Sequence, residues 1–143
     1  MKTKLNCILL VDDDEATNFL NRKNIIKLGI TEHIQAVLNG KEALDFLTTP
    51  GNYGGKTASF PKPQLIILDV NMPVMNGWEF LDEYEKLGDE KKGEIIIVMI
   101  STSFNSNDEQ LAKSFSSVSG YNRKPLSREE ITDLIQTYFP DQV

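Results

Sequence analysis

Cysteine, histidine and tryptophan each occur once in the 143 residues, and each scarcity removes a class of chemistry. A lone Cys7 excludes an internal disulfide and any CxxC metal site. Its place at the head of an apolar run reads as a buried, inert thiol. The lone His33 opens a weak strand and reads as a surface or edge histidine, not a catalytic one. Lysine and arginine form no dense cluster. With a formal charge of −6 and a pI near 4.8 there is no basic surface for nucleic acid. The longest uncharged apolar run, Ile95 to Ile100, is far too short to cross a bilayer, so no membrane insertion is expected. The basic start at Met1 to Lys4 leads into a run broken by Asp12, Asp13 and Asp14, which is not a secretory signal. The expected compartment is the cytoplasm. Neither an internal repeat nor a low-complexity tract is present, and the length suits one domain, residues 1–143.

Apolar runs of strand length alternate with runs of helical spacing. Ile8 to Val11 is apolar on both faces and reads as a fully buried strand. Glu15 to Leu28 places Phe19, Leu20, Ile25, Ile26 and Leu28 at helical spacing, and Gly29 stops the helix. His33 to Val37 is a weaker strand nearer an edge. Asn39 and Glu42 look like a capping box for a helix over about 41–47. Residues 48–63 are an irregular insertion with three glycines and three prolines around Tyr53 and Phe60, either a tolerated surface loop or a partner-contacting one. Gln64 to Asp69 is a strand, followed by a helix from Gly77 to about Leu87 with Asn76 and Glu79 as its capping pair. Glu94 to Ile100 is the most apolar strand and is expected at the centre. Asn105 to Phe115 is a helix of weak propensity, and Ser119 to Asn122 is a short strand. Ser127 to Glu130 is a third capping box, opening a helix to about Tyr138. Five strands and five helices in alternation predict an α/β fold, a doubly wound parallel sheet with helices on both faces, its apolar residues nearly all core.

The chemistry collects at the carboxyl ends of the strands, where open α/β sheets bind ligands. Asp12 and Asp13 follow the first strand, Asp69 the third, Ser101 and Thr102 the fourth, and Lys124-Pro125 the fifth. Each has a plain structural reading alone: acids stop a strand and cap a helix, a serine closes a strand, a lysine is solvated. Together they crowd three carboxylates that repel until a cation neutralises them. Oxygen ligands of this kind suit Mg2+, or another divalent cation such as Mn2+. A lysine ammonium and a hydroxyl would complete a phosphoryl site, with a carboxylate as the natural acceptor.

Leu10-Val11-Asp12-Asp13-Asp14, Leu68-Asp69-Val70-Asn71-Met72-Pro73-Val74-Met75-Asn76-Gly77, Ile100-Ser101-Thr102 and Lys124-Pro125-Leu126 closely resemble the motifs of bacterial two-component response regulator receiver domains. The resemblance runs from about Cys7 to Tyr138 and implies the flavodoxin-like, five-stranded order 2-1-3-4-5, in a stand-alone receiver. It implies that Asp69 is the phosphoacceptor and that Asp12, Asp13, Asp69 and the backbone carbonyl of Asn71 hold Mg2+. Lys124 would pair with phosphoryl oxygens, in a Lys124–Pro125 peptide that fits the cis form. Ser101, with Thr102 beside it, would donate its hydroxyl, and Tyr121 would turn inward as Ser101 moves, switching the surface of the fourth helix, fifth strand and fifth helix. The implied partners are a histidine kinase or histidine phosphotransfer protein and a downstream protein target. A homodimer through the switching face is compatible with the chain but not required by it. The implied protein is no enzyme but a phosphoacceptor with its own phosphotransfer and autodephosphorylation chemistry.

Two other readings fit parts of the pattern. A phosphatase of the haloacid-dehalogenase class also places an aspartate nucleophile after a strand, but its DxD would need an acid where Asn71 stands. A pseudo-receiver would bind protein without accepting phosphate; the intact acids and Lys124 argue against it.

Overall fold

Strand β1, Ile8–Val11, is buried at all four positions, and its side chains point alternately into two apolar layers. The computed structural model of the chain describes residues 4–48, 62–88, 95–102 and 106–141. β2 (Ile34–Val37), β3 (Leu65–Asp69), β4 (Ile96–Ser101) and β5 (Val118–Arg123) join β1 in a parallel sheet of order β2-β1-β3-β4-β5. Cys7, Leu9, Val11, Ile66 and Leu68 face one layer with Phe46, Phe80, Leu81 and Tyr84. Ile8, Leu10, Leu65, Ile67 and Val98 face the other with Ile25, Ile131 and Leu134.

Those partners place α2 (Gly40–Thr48), α3 (Gly77–Glu85) and α4 (Ser106–Ser114) on the first face, α1 (Glu15–Leu28) and α5 (Arg128–Tyr138) on the second. Each fully buried Leu, Ile or Phe contributes about 1.5–3 kcal/mol of transfer free energy, and the two layers together hold the sheet rigid at its carboxyl edge.

The predicted elements all form, with three corrections. The central strand is β3 and not the more apolar β4, which lies between β3 and β5. Glu42 accepts from the Leu38 amide at 2.8 Å, one residue before the expected N-cap, while its own amide donates to Asn39. The apolar stripe expected on α1 is mostly outward: Phe19, Leu20 and Ile26 are exposed. Of the expected positions Ile25 is buried and Leu28 packs beside it, while Thr17, Asn18 and Asn21 take the other buried places; Asn18 does so by donating to the backbone carbonyls of Asp12 and Val37. The capping boxes at Asn76/Glu79 and Ser127/Glu130 form as read. Nearly all of the 48–63 insertion lies outside the described residues, as do Glu94 and Asn105.

The carboxyl end of α4 is tied to α3. Trp78 stacks on Phe115 with ring centroids 6.1 Å apart, and the Ser117 hydroxyl donates to Glu85 at 2.9 Å. Along α4 itself Ala112 is the one buried residue.

Candidate functional site

β1 and β3 run side by side, Val11 against Leu68, so the residues that follow them converge at one edge. Asp12 and Asp69 are buried there and Asp13 is exposed. A carboxylate oxygen from each lies within 4.8 Å of the others, the one such group of acids among the described residues. The donor set is all oxygen and partly open, which fits a hard divalent cation. Asn71, the fourth expected ligand by its carbonyl, stands in the exposed turn just beyond β3.

Lys124 reaches this cluster from the end of β5. Its Nζ lies 3.0 Å from Asp12 Oδ2 and 3.3 Å from Asp69 Oδ1. Its backbone is anchored beside the end of β4, where the Lys124 amide donates to the Ser101 carbonyl at 2.9 Å. The Lys124–Pro125 peptide is cis, as expected. Burial alone would lower the ammonium's pKa, but the hydrogen bond to Asp12 and the charges of Asp69 and Asp12 outweigh it, so the group is held protonated. Asp69 goes the other way. Burial first, then the charge of Asp12, push its carboxyl up to about 7 against the pull of Lys124. Its Oδ1 faces Lys124, whereas its Oδ2 is buried with no hydrogen-bond partner among the described residues.

The remaining expected residues separate by exposure. Ser101 is buried at the end of β4, with Tyr121 half-buried beside it on β5. Thr102 is exposed. Asp14 is the N-cap of α1, accepting from the Thr17 hydroxyl and the Ala16 amide, which hold its carboxyl below the usual range. Away from the cluster, Cys7 is buried and its thiol pushed up to about 12, an inert core residue. His33 lies just before β2, at the opposite edge from Asp69. No helix among the described residues is long and apolar enough to cross a membrane.

The structure also uses residues that the sequence pattern did not single out. Asn18 donates to the carbonyls of Asp12 and Val37, at 2.9 and 3.4 Å, and Asn24 donates to that of Leu126 at 3.2 Å. Their signal in the sequence is a polar stripe at helical spacing on α1, hidden beside the more prominent apolar one.

The sequence model of the response regulator receiver domain family matches residues 8–136. The probable methanogenesis regulatory protein FilR2 of Methanothrix harundinacea is 32% identical over 130 residues, 90% of this chain and 78% of that protein. The crystal structure of a two-component response regulator from Cytophaga hutchinsonii superposes with a TM-score of 0.82 at 31% identity, covering 96% of this chain and 98% of that one. The bacteriophytochrome response regulator RtBRR superposes at 0.76 with 26% identity, over 94% of this chain and 78% of its own. With the family match extending from the first strand into the last helix, over the fold those relatives share, the chain belongs to the response regulator receiver domain family, phosphoacceptor signalling modules and not classical enzymes.

Proposed function

We propose that Asp69 accepts a phosphoryl group from a phosphohistidine on a separate histidine kinase or histidine phosphotransfer protein. The observation that carries this reading is the asymmetry of the Asp69 carboxylate: one oxygen engaged by Lys124, the other buried and unpartnered. A carboxylate oxygen of Asp69 attacks phosphorus as the phosphorus–nitrogen bond breaks, its electron pair returning to the donor imidazole. Water later attacks phosphorus, releasing inorganic phosphate and the free carboxylate. Lys124 offers fixed positive charge to the transferring oxygens. Asp12, Asp13, Asp69 and the Asn71 carbonyl would hold a divalent cation, Mg2+ in preference to Mn2+, which when bound supplies further charge neutralisation. Asp13 is the most accessible of these acids.

The acyl phosphate on Asp69 carries roughly −1.5 to −2 charges beside Ser101, about one more than the ionised carboxylate it replaces. Ser101, buried beside Tyr121, is better placed than exposed Thr102 to answer it. The Ser101–Tyr121 pair then biases the α4–β5–α5 surface toward the form a downstream protein recognises. The slight burial of α4 supports this, since elements with few buried contacts open at low cost. The single receiver domain, with its 48–63 loop as an insertion, and a cytoplasmic location shared with the kinase belong to the same reading. A phytochrome-type kinase is the first donor to try, given the likeness to RtBRR.

Incubation with Mg2+ and acetyl phosphate, followed by mass spectrometry, tests the assignment. The expected result is one phosphoryl group, at Asp69. A phosphatase would turn over many equivalents of a phosphomonoester, and a pseudo-receiver would do neither. Labelling of Asp69→Ala as efficient as that of the native chain would overturn the assignment.

A further inference from the structure

Helix α1 buries Thr17, Asn18 and Asn21 alongside Ile25, while Phe19, Leu20 and Ile26 face outward. A buried amide costs free energy unless its hydrogen bonds compensate, so leucine would be the cheaper residue at such a position. The bonds of two asparagines on this helix show where they act. Asn18 Nδ2 donates to the Asp12 carbonyl at 2.9 Å and to the Val37 carbonyl at 3.4 Å. Further along the helix, Asn24 Nδ2 donates to the Leu126 carbonyl at 3.2 Å. Those carbonyls belong to the segments at the ends of β1, β2 and β5. The first carries Asp12 itself, and the third lies two residues from Lys124. The acceptors are carbonyls in every case, which fixes the orientation of both amides.

We propose that Asn18 and Asn24 are positioning residues: α1 is a polar clamp that holds the Asp12 end and the Lys124 end of the site at a set span. Asp12 and Lys124 face each other at 3.0 Å, and Lys124 touches Asp69 from the same position. Loss of the Asn24 bond frees the turn after β5 and so the direction of the Lys124 ammonium. Loss of the Asn18 bonds frees the backbone of Asp12, one of the three clustered acids. The two asparagines therefore have separable effects, one on phosphoryl transfer and one on cation affinity. This inference rests on Asp69 as the acceptor.

The test compares the native chain with Asn24→Leu, Asn18→Leu and the amide-preserving Asn24→Gln. Each leucine is close in volume and lacks the donor. Three quantities are read: thermal midpoint, Mg2+ affinity by titration of amide resonances, and the saturating rate of phosphorylation by acetyl phosphate. Asn24→Leu is expected to lower the saturating rate about tenfold without weakening Mg2+ binding, because Lys124 is not a cation ligand and only shares its carboxylates. Asn24→Gln should recover most of the rate. Asn18→Leu should weaken Mg2+ binding about tenfold, the usual effect of losing a group that orients a ligand. A merely structural role would move rate, affinity and midpoint together. An Asn24→Leu protein that phosphorylates within about twofold of native, or that loses rate and Mg2+ affinity equally, overturns the proposal. Because Asn24 is only half-buried, that variant decides the matter even if Asn18→Leu does not fold. Failure of the native chain to label would instead sink the Asp69 assignment, and the Mg2+ affinity of Asn18→Leu would still judge the clamp.

Discussion

A Cβ placed on Gly77 would stand 2.5 Å from the carbonyl oxygen of Asp69. The first residue of α3 thus lies directly against the backbone of the proposed acceptor, and its own amide donates to Val70 at 2.9 Å. Backbone cannot yield as a flexible side chain does. Gly77→Ala is expected to destabilise the chain by about 2–3 kcal/mol, in the upper range for overpacking, and to slow labelling of Asp69. Urea denaturation reads the first effect; a variant as stable as native would show that the β3–α3 turn is compliant.

The raised pKa of Asp69 has a consequence for stability. Between its ordinary value of 3.8 and about 7 the folded chain keeps a proton that the unfolded chain has released. The contribution is fully present below pH 3.8 and is lost as pH rises through about 7. Asp69→Asn removes that dependence. In chelator, its stability relative to native should rise between pH 4 and pH 8 by on the order of 2 kcal/mol. A difference that stays flat with pH contradicts the raised value.

Lys124 separates two buried carboxylates, and its side chain is only 9% exposed. Lys124→Met leaves Asp12 and Asp69 facing each other without a countercharge. A loss of about 3 kcal/mol in chelator follows from removing one partner of a buried pair. Mg2+ should restore part of it, so the rise in thermal midpoint on adding Mg2+ should be larger for the variant than for native. An equal or smaller rise would mean that the cation and the ammonium do not share the same carboxylates.

Val74 has φ of 66°, and it is 79% exposed. The Met75 amide donates to the Pro73 carbonyl at 2.7 Å across it, closing a three-residue γ-turn. Left-handed backbone is costly for a β-branched side chain, whereas asparagine tolerates it. Val74→Asn should raise stability by about 1 kcal/mol, seen as a midpoint a few degrees higher. A lower midpoint would show that Val74 makes a favourable contact which outweighs the strain.

The acid–lysine cluster was legible because every member stands at or just past the carboxyl end of a strand, and parallel strands bring those ends to one edge. Asp12, Asp69, Ser101 and Lys124 needed only strand boundaries to be placed together. Asn18 and Asn24 were not legible, since their partners are backbone carbonyls and Leu126 is 102 residues from Asn24. Local periodicity records neither. The same limit explains α1: Phe19 and Ile26 share a helical spacing with core residues, but spacing alone does not say which side faces the sheet. Strand apolarity also misplaced the centre, because β1, β3 and β4 are all flanked by strands on both sides and differ little in burial.

The Trp78–Phe115 stack and the Ser117–Glu85 bond fasten one end of α4. A rod fixed at one end moves as a lever with its fulcrum there. In the proposed switch, displacement of α4 would be smallest beside Phe115 and largest at Ser106, the end that follows β4 and Ser101.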